Sequence, residues 1–186
     1  MKTAIFLANG FEEIEALTVV DILRRCKIEI DMISITDRSE VCGSHHITVQ
    51  ADKLLHETSF ADYDMLILPG GKAGVENLEA CKPLIQLLIE FDKAQKRISA
   101  ICAAPSILGH LGILRGRNAC AYPTFEKELS GAEVTGNEVE ISEHIITSRG
   151  MGCSIPFALT IVEKLLNREV AEECKKTIIY EQRNKS

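Results

Sequence analysis

The sequence predicts an α/β fold built on a doubly wound, mostly parallel sheet with helices on both faces. Short apolar segments rich in β-branched residues alternate with segments in which apolar residues recur at helical spacing, a pattern typical of parallel sheets. Several strand-like segments are apolar throughout, as expected for strands buried on both faces. The 186 residues are 46% hydrophobic and 26% charged, which suits one compact domain. We therefore predict a single domain over residues 1–186, with a frayed tail at about 181–186.

Turn sequences separate the predicted elements in the first half of the chain. Asn9-Gly10 ends the first strand, and the Pro-Gly-Gly sequence at 69–71 ends a later one. Pro83 suits the first turn of a helix, where a missing N–H is tolerated. The predicted elements are a strand at 3–8, a helix at 11–25, a strand at 28–35, a further strand or hairpin arm at 41–51 with Gly43 at its bend, a strand at 64–68 and a helix at 83–95.

The second half continues the alternation of strands and helices. Gly136-Asn137 has the composition of a hairpin turn. The predicted elements are a strand at 98–101, a helix at 103–111, a short strand at 118–122, a helical stretch at 124–129, an antiparallel hairpin at 134–141, a strand at 144–147, a helix at 154–166 and a last amphipathic helix that ends near residue 180.

The candidate reactive residue is Cys102, where the strand at 98–101 must turn sharply into a helix. Ala100, Ala103 and Ala104 are small enough to permit that turn, so the arrangement resembles a nucleophile elbow with Cys in place of Ser. A thiol at a helix N-terminus lies near unpaired amides and the positive end of the helix dipole, and both favour the thiolate. The alternative that the local sequence leaves open is a buried, unreactive cysteine.

Composition excludes several classes of function. The formal net charge is −6 and basic residues form no run, so we expect no nucleic-acid partner. The N-terminus does not have the pattern of a signal peptide, and no apolar stretch approaches the ~20 residues of a membrane helix. Seven scattered cysteines without C-x-x-C spacing indicate reduced thiols, and we expect a cytoplasmic protein. Neither a zinc-ligand spacing nor a nucleotide-binding motif is present, so we predict no metal and no cofactor.

Three loops that follow strands should gather at the carboxyl edge of the sheet, where ligands bind in doubly wound folds. The first contains Glu15, which either complements the helix dipole, as acids in a first turn ordinarily do, or serves the site. The second contains Gly70 and Gly71, which form either a flexible turn or, with the Ala103 N–H, an oxyanion pocket. The third is the Cys102 turn.

A fourth loop begins at Ser148-Arg149, directly after a late strand. Arg149 is either a surface cation or a residue that lines the pocket, and Ser148 is included with it as a pocket candidate.

Four motifs together resemble the DJ-1/PfpI (ThiJ/PfpI) superfamily and its DJ-1-like/YajL branch: AICAAPSILG, NGFEEIEALTVVDILRR, LILPGG and TSRGMG. The similarity covers nearly the whole chain in the right order. It implies a flavodoxin-like fold, a homodimer and a peroxide-sensitive Cys102 that is oxidised to a sulfinate. It also implies that Glu15 hydrogen-bonds the sulfur and that Gly70 and Gly71 line the pocket.

The implied contact between Glu15 and Cys102 has an electrostatic condition. A carboxylate repels a thiolate, so Glu15 must be protonated, and burial beside a negative sulfur would raise its pKa. The two groups would then titrate as a pair, and a fall of the thiol pKa from ~8.5 to ~6 would raise the thiolate fraction at pH 7 from about 3% to about 90%.

Two positions depart from the superfamily patterns. Protease-like members carry His directly after the nucleophile, where this chain has Ala103, so we expect no peptidase triad. DJ-1-like members often carry His before the proline that corresponds to Pro123, where this chain has Tyr122. A neutral phenol is a poor general base at pH 7, although it can hydrogen-bond a substrate oxygen and is a pocket candidate.

The resemblance implies cofactor-independent glyoxalase or deglycase chemistry on methylglyoxal, related reactive aldehydes or early glycation adducts. In that hypothesis Cys102 adds to the aldehyde, the Gly70, Gly71 and Ala103 amides stabilise the oxyanion, and Glu15 shuttles the proton. One alternative is an oxidative-stress sensor or redox-regulated chaperone in which oxidation of Cys102 is the signal. The other is a structural or binding module with an inert thiol.

Overall fold

The computed structural model describes residues 1–180, whose strands form one large sheet and two small ones. The strands are β1 (Lys2–Leu7), β2 (Glu29–Ser34), β3 (Glu40–Cys42), β4 (Thr48–Gln50), β5 (Lys53–Leu54), β6 (Met65–Leu68), β7 (Arg97–Ile101), β8 (Asn118–Ala119), β9 (Glu133–Val134), β10 (Val139–Ser142) and β11 (Ile145–Ser148). The α-helices are α1 (Glu13–Arg25), α2 (Lys72–Ala80), α3 (Lys82–Lys93), α4 (Pro105–His110), α5 (Ser154–Leu165) and α6 (Arg168–Thr177).

The large sheet has the strand order β10-β11-β7-β6-β1-β2-β5. Every neighbouring pair is parallel except β10 with β11. β1 lies between β2 and β6, with Thr3 opposite both Ile30 and Met65, so the strand order reverses beside β1. The loops after β1, β6 and β7 therefore meet at one edge of the sheet. The predicted mostly parallel α/β fold is confirmed.

Side chains alternate between the two faces of the sheet and build a hydrophobic cluster on each. Ala4 and Phe6 belong to the cluster that contains residues of α2, α3 and α4, whereas Ile5 and Leu7 belong to the one that contains residues of α1, α5 and α6. All four are fully buried. Because a strand presents successive side chains to opposite faces, the continuous apolar pattern reflects burial on both sides.

The predicted hairpin at 134–141 is wrong. β9 pairs in parallel with β8 in a separate small sheet, and the antiparallel partner of β10 is β11. The reversal takes place at Glu143 and His144, where Glu143 adopts a positive φ of 56°. Gly136 lies instead in the open connection between two sheets, where an added Cβ would meet no atom of residues 1–180 within 4 Å. The Gly-Asn sequence indicated a turn, but nothing local specified which strands it joined.

Helix α2 is absent from the sequence prediction, which treated the residues after Gly71 as a loop. Val75 and Leu78 are buried by this helix. Gly74 lies close to the preceding loop, because a Cβ there would be 2.7 Å from the backbone N of Phe11. A glycine inside the helix thus serves close packing, although in sequence it suggests a turn.

Other elements differ from prediction mainly in length. The 41–51 segment forms the antiparallel pair β3 and β4, while 118–122 contributes only the two residues of β8. Residues Pro123–Glu128 form a 3₁₀ helix where a helical stretch was predicted. The predicted tail at 181–186 lies outside the described residues, and the single domain over 1–186 stays a prediction. Between residues 1 and 180, no helix has the length and apolar character needed to cross a membrane.

Candidate active site

Cys102 lies in the short turn between β7 and α4. Its φ of 65° is in the left-handed region, which costs a residue other than glycine about 1 kcal/mol or more. Backbone hydrogen bonds hold this conformation, since the Cys102 N–H donates to the Ser148 carbonyl (2.9 Å) and the Tyr122 N–H donates to the Cys102 carbonyl (2.8 Å). The predicted strand-to-helix turn is present, with Pro105 as the first residue of α4.

The helix after the turn is too short for a strong dipole. α4 has six residues, and Ala103 and Ala104 separate Cys102 from it. Of the two predicted sources of stabilisation for negative charge on the sulfur, the nearby N–H groups therefore contribute more than the helix dipole.

Glu15 is 1% exposed and lies beside the thiol. Its Oε2 accepts the Gly70 N–H (2.9 Å), and its buried Oε1 has no hydrogen-bond partner among residues 1–180. A Cβ built on Gly70 would collide with Glu15 Oε2 and would lie 2.6 Å from Cys102 Cβ and 3.1 Å from Sγ. The structure thus brings the predicted carboxyl and thiol groups together. Both contact Gly70, where a larger residue would displace them.

The two groups influence each other's protonation. Burial raises the pKa of Glu15 from 4.5 to about 7, opposed by hydrogen bonds with the Cys102 side chain and the Gly70 N–H. Burial, the Glu15 charge and the Glu15 hydrogen bond raise the pKa of Cys102 to about 12, opposed by the Ala103 and Gly71 N–H groups. The predicted fall of the thiol pKa is therefore wrong in direction. The pair gives up its first proton near pH 7 and resists losing the second, since two adjacent negative charges in a buried site are unfavourable.

The loop that contains Gly70 and Gly71 offers fewer free N–H donors than predicted. The Gly70 N–H is already bound to Glu15, so it is not a free oxyanion donor. The Gly71 and Ala103 N–H groups point toward the Cys102 sulfur instead. Gly71 has a φ of 89°, and a Cβ there would lie 2.7 Å from the Glu12 backbone N. Two of the three predicted donors therefore face the sulfur.

Ser148 and Arg149 do not bring their side chains to the thiol. Ser148 Oγ donates to the Glu138 carbonyl (2.6 Å), while its own carbonyl supports the Cys102 turn. The Arg149 guanidinium contacts the Gly136 carbonyl (3.4 Å) and pairs with Glu126 (3.6 Å). The first residue thus supports the turn through its backbone, and the second connects two loops.

Tyr122 and Gly150 border the thiol on its open side. A Cβ on Gly150 would lie 3.4 Å from Tyr122 Cδ2 and 3.9 Å from both Cys102 Sγ and Glu15 Oε1. Tyr122 is 48% exposed, so its ring forms part of the rim. Gly150 was not among the predicted site residues, although a glycine directly after Ser148-Arg149 at the end of a strand was the available signal. Because these distances are ordinary van der Waals contacts, the missing side chain leaves the space of one methyl group beside the sulfur.

Glu13, two residues before Glu15, has a role that the sequence did not indicate. Glu13 Oε1 accepts the His45 N–H (2.7 Å), and its Oε2 lies 2.9 Å from His45 Nδ1 and 3.1 Å from Ser44 Oγ. These bonds attach the β3–β4 turn to the start of α1. One oxygen of Glu12 lies in the same group, and the Glu12, Glu13 and His45 ligand atoms are all within 4.8 Å of one another. The hydrogen bonds account for this clustering.

Comparisons with known proteins agree with this architecture. The model of the DJ-1/PfpI family matches residues 1–164. Among solved structures, oxidized DJ-1 of Toxoplasma gondii superposes with a TM-score of 0.93 at 34% identity, covering 97% of this chain and 99% of that one.

Curated relatives share the sequence over most of this chain. Protein DJ-1 homolog B of Arabidopsis thaliana is 37% identical over 174 residues, 92% of this chain, but this chain spans only 40% of that relative's length. The Parkinson disease protein 7 homolog of Danio rerio is 32% identical over 182 residues, 96% of both chains. The glutathione-independent glyoxalase DJR-1.2 of Caenorhabditis elegans is 32% identical over 167 residues, 88% of this chain and 89% of the relative.

Proposed function

Because this chain belongs to the DJ-1/PfpI family, we propose that it is a cofactor-independent, cysteine-dependent enzyme of the glyoxalase or deglycase type. Its substrates would be methylglyoxal, related small reactive aldehydes and early glycation adducts. The observation that carries the proposal is the buried pair of Cys102 and Glu15, in which the carboxyl has a pKa of about 7. A relative named as a glyoxalase adds support.

The pKa values favour activation of the thiol by proton transfer. Near neutral pH about half of the Glu15 carboxyls are ionised, and an ionised carboxylate can accept the Cys102 proton as the sulfur attacks. This transfer produces the thiolate and protonated carboxyl that the family resemblance implies. It also explains how a thiol whose pKa is raised to about 12 can be a nucleophile at pH 7.

With methylglyoxal, the sulfur forms a bond to the aldehyde carbon, and the carbonyl oxygen takes up the proton to give a hemithioacetal. The Gly71 and Ala103 N–H groups would stabilise the oxygen while it is negative. Glu15 then removes the proton from the former aldehyde carbon and returns one to the neighbouring carbon. The resulting thioester is hydrolysed by water to lactate and free thiol, so no external oxidant or reductant is consumed.

The Glu15 Oε1 atom, which has no hydrogen-bond partner among the described residues, supports this assignment of the proton shuttle. A buried carboxyl oxygen without a hydrogen-bond donor destabilises the fold. A Cβ at Gly150 would lie 3.9 Å from both this oxygen and the Cys102 sulfur. A substrate in front of Gly150 would give Oε1 a partner. No second base is needed in this scheme, so Tyr122 would only border the substrate.

The first test is lactate formation from methylglyoxal in a buffer without amines or thiols. We expect turnover by the wild type, loss of turnover in Cys102→Ala, and a reduction of about 10²-fold or more in Glu15→Gln. Cys81→Ala and Glu76→Gln are matched controls, because Cys81 belongs to another hydrophobic cluster and Glu76 is an exposed residue of α2. Equal turnover by Cys102→Ala and the wild type would contradict the proposal.

The second candidate is a redox sensor or redox-regulated chaperone. The Gly71 and Ala103 N–H groups and the Glu15 carboxyl surround the sulfur and could bind the oxygens of a sulfinate. A wild type that forms no lactate but is oxidised quickly at Cys102 by peroxide would favour this candidate.

We also propose a cytoplasmic homodimer. Sedimentation of the purified chain should give twice the mass of one chain, and a mass equal to one chain would contradict the dimer.

A further inference from the structure

His110 is the last residue of α4, and it lies between two carboxylates that belong to other elements. Its Nδ1 is 2.6 Å from Glu79 Oε1 of α2, and its Nε2 is 3.2 Å from Glu128 Oε2. Glu128 is the last residue of the 3₁₀ helix Pro123–Glu128. One imidazole ring therefore joins α2, α4 and this 3₁₀ helix.

Each of the three joined elements begins at a loop of the candidate active site. Helix α2 begins directly after Gly71, and α4 follows the Cys102 turn. The 3₁₀ helix begins directly after Tyr122, whose N–H donates to the Cys102 carbonyl (2.8 Å). His110 thus connects the far ends of the elements whose near ends supply the sulfur, an N–H donor and the rim.

Helix α4 and the end of the 3₁₀ helix are also closely packed. A Cβ on Gly109 would collide with the Glu128 carbonyl and would lie 2.9 Å from Leu129 Cα. Leu129 is buried in the same hydrophobic cluster as Leu108 of α4. This packing and the two His110 contacts therefore act on the same end of the 3₁₀ helix.

We propose that His110 is a positioning residue whose protonated ring fastens residues 122–128, the rim segment, to α2 and α4, and that loss of its proton loosens the rim segment. An ionised carboxylate only accepts hydrogen bonds, so contact with both Glu79 and Glu128 needs an N–H on each ring nitrogen. A neutral imidazole has one N–H, so deprotonation removes one of the two bonds. The consequence for turnover rests on the proposed function, whereas the fastening of the rim segment does not.

The surroundings of His110 favour its protonated form. The hydrogen bond with Glu79 is the largest cause that raises the pKa of His110 above 6.5; burial opposes it, and Glu128 adds to the increase. Lys127 Nζ lies 3.6 Å from the other oxygen of Glu128. Because the folded pKa is above the ordinary value, the fastening is complete below pH 6.5 and is lost as pH rises through the raised pKa.

The expected effects are small because the bonds are partly exposed to solvent. The side chains of His110 and Glu79 are 39% exposed, and that of Glu128 is 38% exposed. Charged pairs with this degree of exposure change equilibria by about two- to fivefold.

Hydrogen exchange of the Tyr122 amide measures the fastening without substrate. After correction for the intrinsic exchange rate, wild-type protection should fall about two- to fivefold between about pH 6 and about pH 8.5. His110→Gln should already have the lower protection at the acidic end. His110→Lys keeps a positive charge over this range, so it should keep the protection and lose the pH dependence.

Two further variants separate this effect from other titrations. His56→Gln should behave as the wild type, because His56 is also an exposed histidine beside carboxylates, those of Asp37 and Glu57. Glu15→Gln should keep the pH dependence of Tyr122 protection, although it removes the carboxyl that titrates near pH 7. Wild-type protection that does not change with pH, or the same change in His110→Gln, would overturn the proposal.

Lactate formation from methylglyoxal tests the consequence for the site. His110→Gln should raise KM about two- to fivefold and change kcat less, because Tyr122 borders the substrate without contacting the reacting atoms. His110→Lys should restore the wild-type KM. An unchanged KM in His110→Gln would overturn the link to substrate binding. A wild type that forms no lactate would contradict the proposed function, and the exchange measurement would then decide the role of His110.

Discussion

Glu13 and Glu15 are two residues apart on α1 and almost equally buried, at 4% and 1% exposure, yet their pKa values move in opposite directions. Burial alone would raise both. At Glu13, hydrogen bonds from His45 and Ser44 outweigh burial and lower the pKa to about 2. At Glu15, burial outweighs the hydrogen bonds from Cys102 and Gly70 and raises it to about 7. The number and kind of donors, together with the deeper surroundings of Glu15, thus decide which carboxyl is a structural anion and which can exchange a proton near neutral pH.

The test of this contrast with the largest expected effect is Gly70→Ala, which changes the surroundings of Glu15 and not those of Glu13. The added methyl would collide with Glu15 Oε2 and Cys102 Cβ, so the pair must separate. We expect lactate formation to fall by about 10²-fold or more, since small displacements of catalytic groups have effects of that size. Gly152→Ala is the matched control, because its Cβ would meet no atom within 4 Å in the part of the chain that the structure describes. Similar activities for the two variants would contradict the close pairing.

The pH profile of Cys102 alkylation is a second test. In the wild type, the rate should rise through about pH 7 as Glu15 ionises and can accept the thiol proton. Glu15→Gln should lose this rise in rate near pH 7. Its Cys102 should be alkylated more than about tenfold slower than that of the wild type at pH 8, because burial keeps the thiol protonated. Glu12→Gln should keep the rise in rate but shift it to slightly lower pH, since the Glu12 charge raises the pKa of Glu15. A profile that is the same in Glu15→Gln and wild type from pH 5 to 9 would exclude this role.

The dependence of stability on pH has opposite signs for the two carboxyls. The folded pKa of Glu15 is above its ordinary value of 4.5, so its contribution is present below pH 4.5 and is lost as pH rises through 7, by about 3 kcal/mol. The folded pKa of Glu13 is below 4.5, so its contribution is present above pH 4.5 and is lost as pH falls toward 2.

Urea unfolding between pH 3 and 8 measures both contributions. Glu15→Gln should remove the loss of stability between pH 4.5 and 7, and Glu13→Gln should remove part of the loss below pH 4.5. Glu13→Gln should also reduce stability at pH 7 by about 1–3 kcal/mol, because hydrogen bonds to a charged acceptor are replaced by weaker ones. Equal pH dependence in the two variants would show that the two carboxyls do not differ as described.

Much of the candidate site was predictable because its signals are local. The apolar strand before Cys102, the small residues after it and Pro105 together define the sharp turn without reference to the rest of the chain. The position of Glu15 followed from the rule that loops after parallel strands share an edge, and the family resemblance assigned its partner. Gly150 and the hydrogen-bonded role of Glu13 were missed, since each depends on contacts with residues far away in sequence.

The amino-acid sequence by itself determined the parallel α/β sheet and the turn at Cys102, and it singled out Glu15 as the candidate acid, because period, turn chemistry and motif order are properties of short segments. Tertiary structure decided that the Gly70 N–H is occupied by Glu15, that Ser148 and Arg149 bind elsewhere and that β10 pairs with β11. It also decided that the pKa of the Cys102 thiol is raised and not lowered. The physical reason is that desolvation and hydrogen-bond partners are set by neighbours from distant segments, and no local pattern contains them.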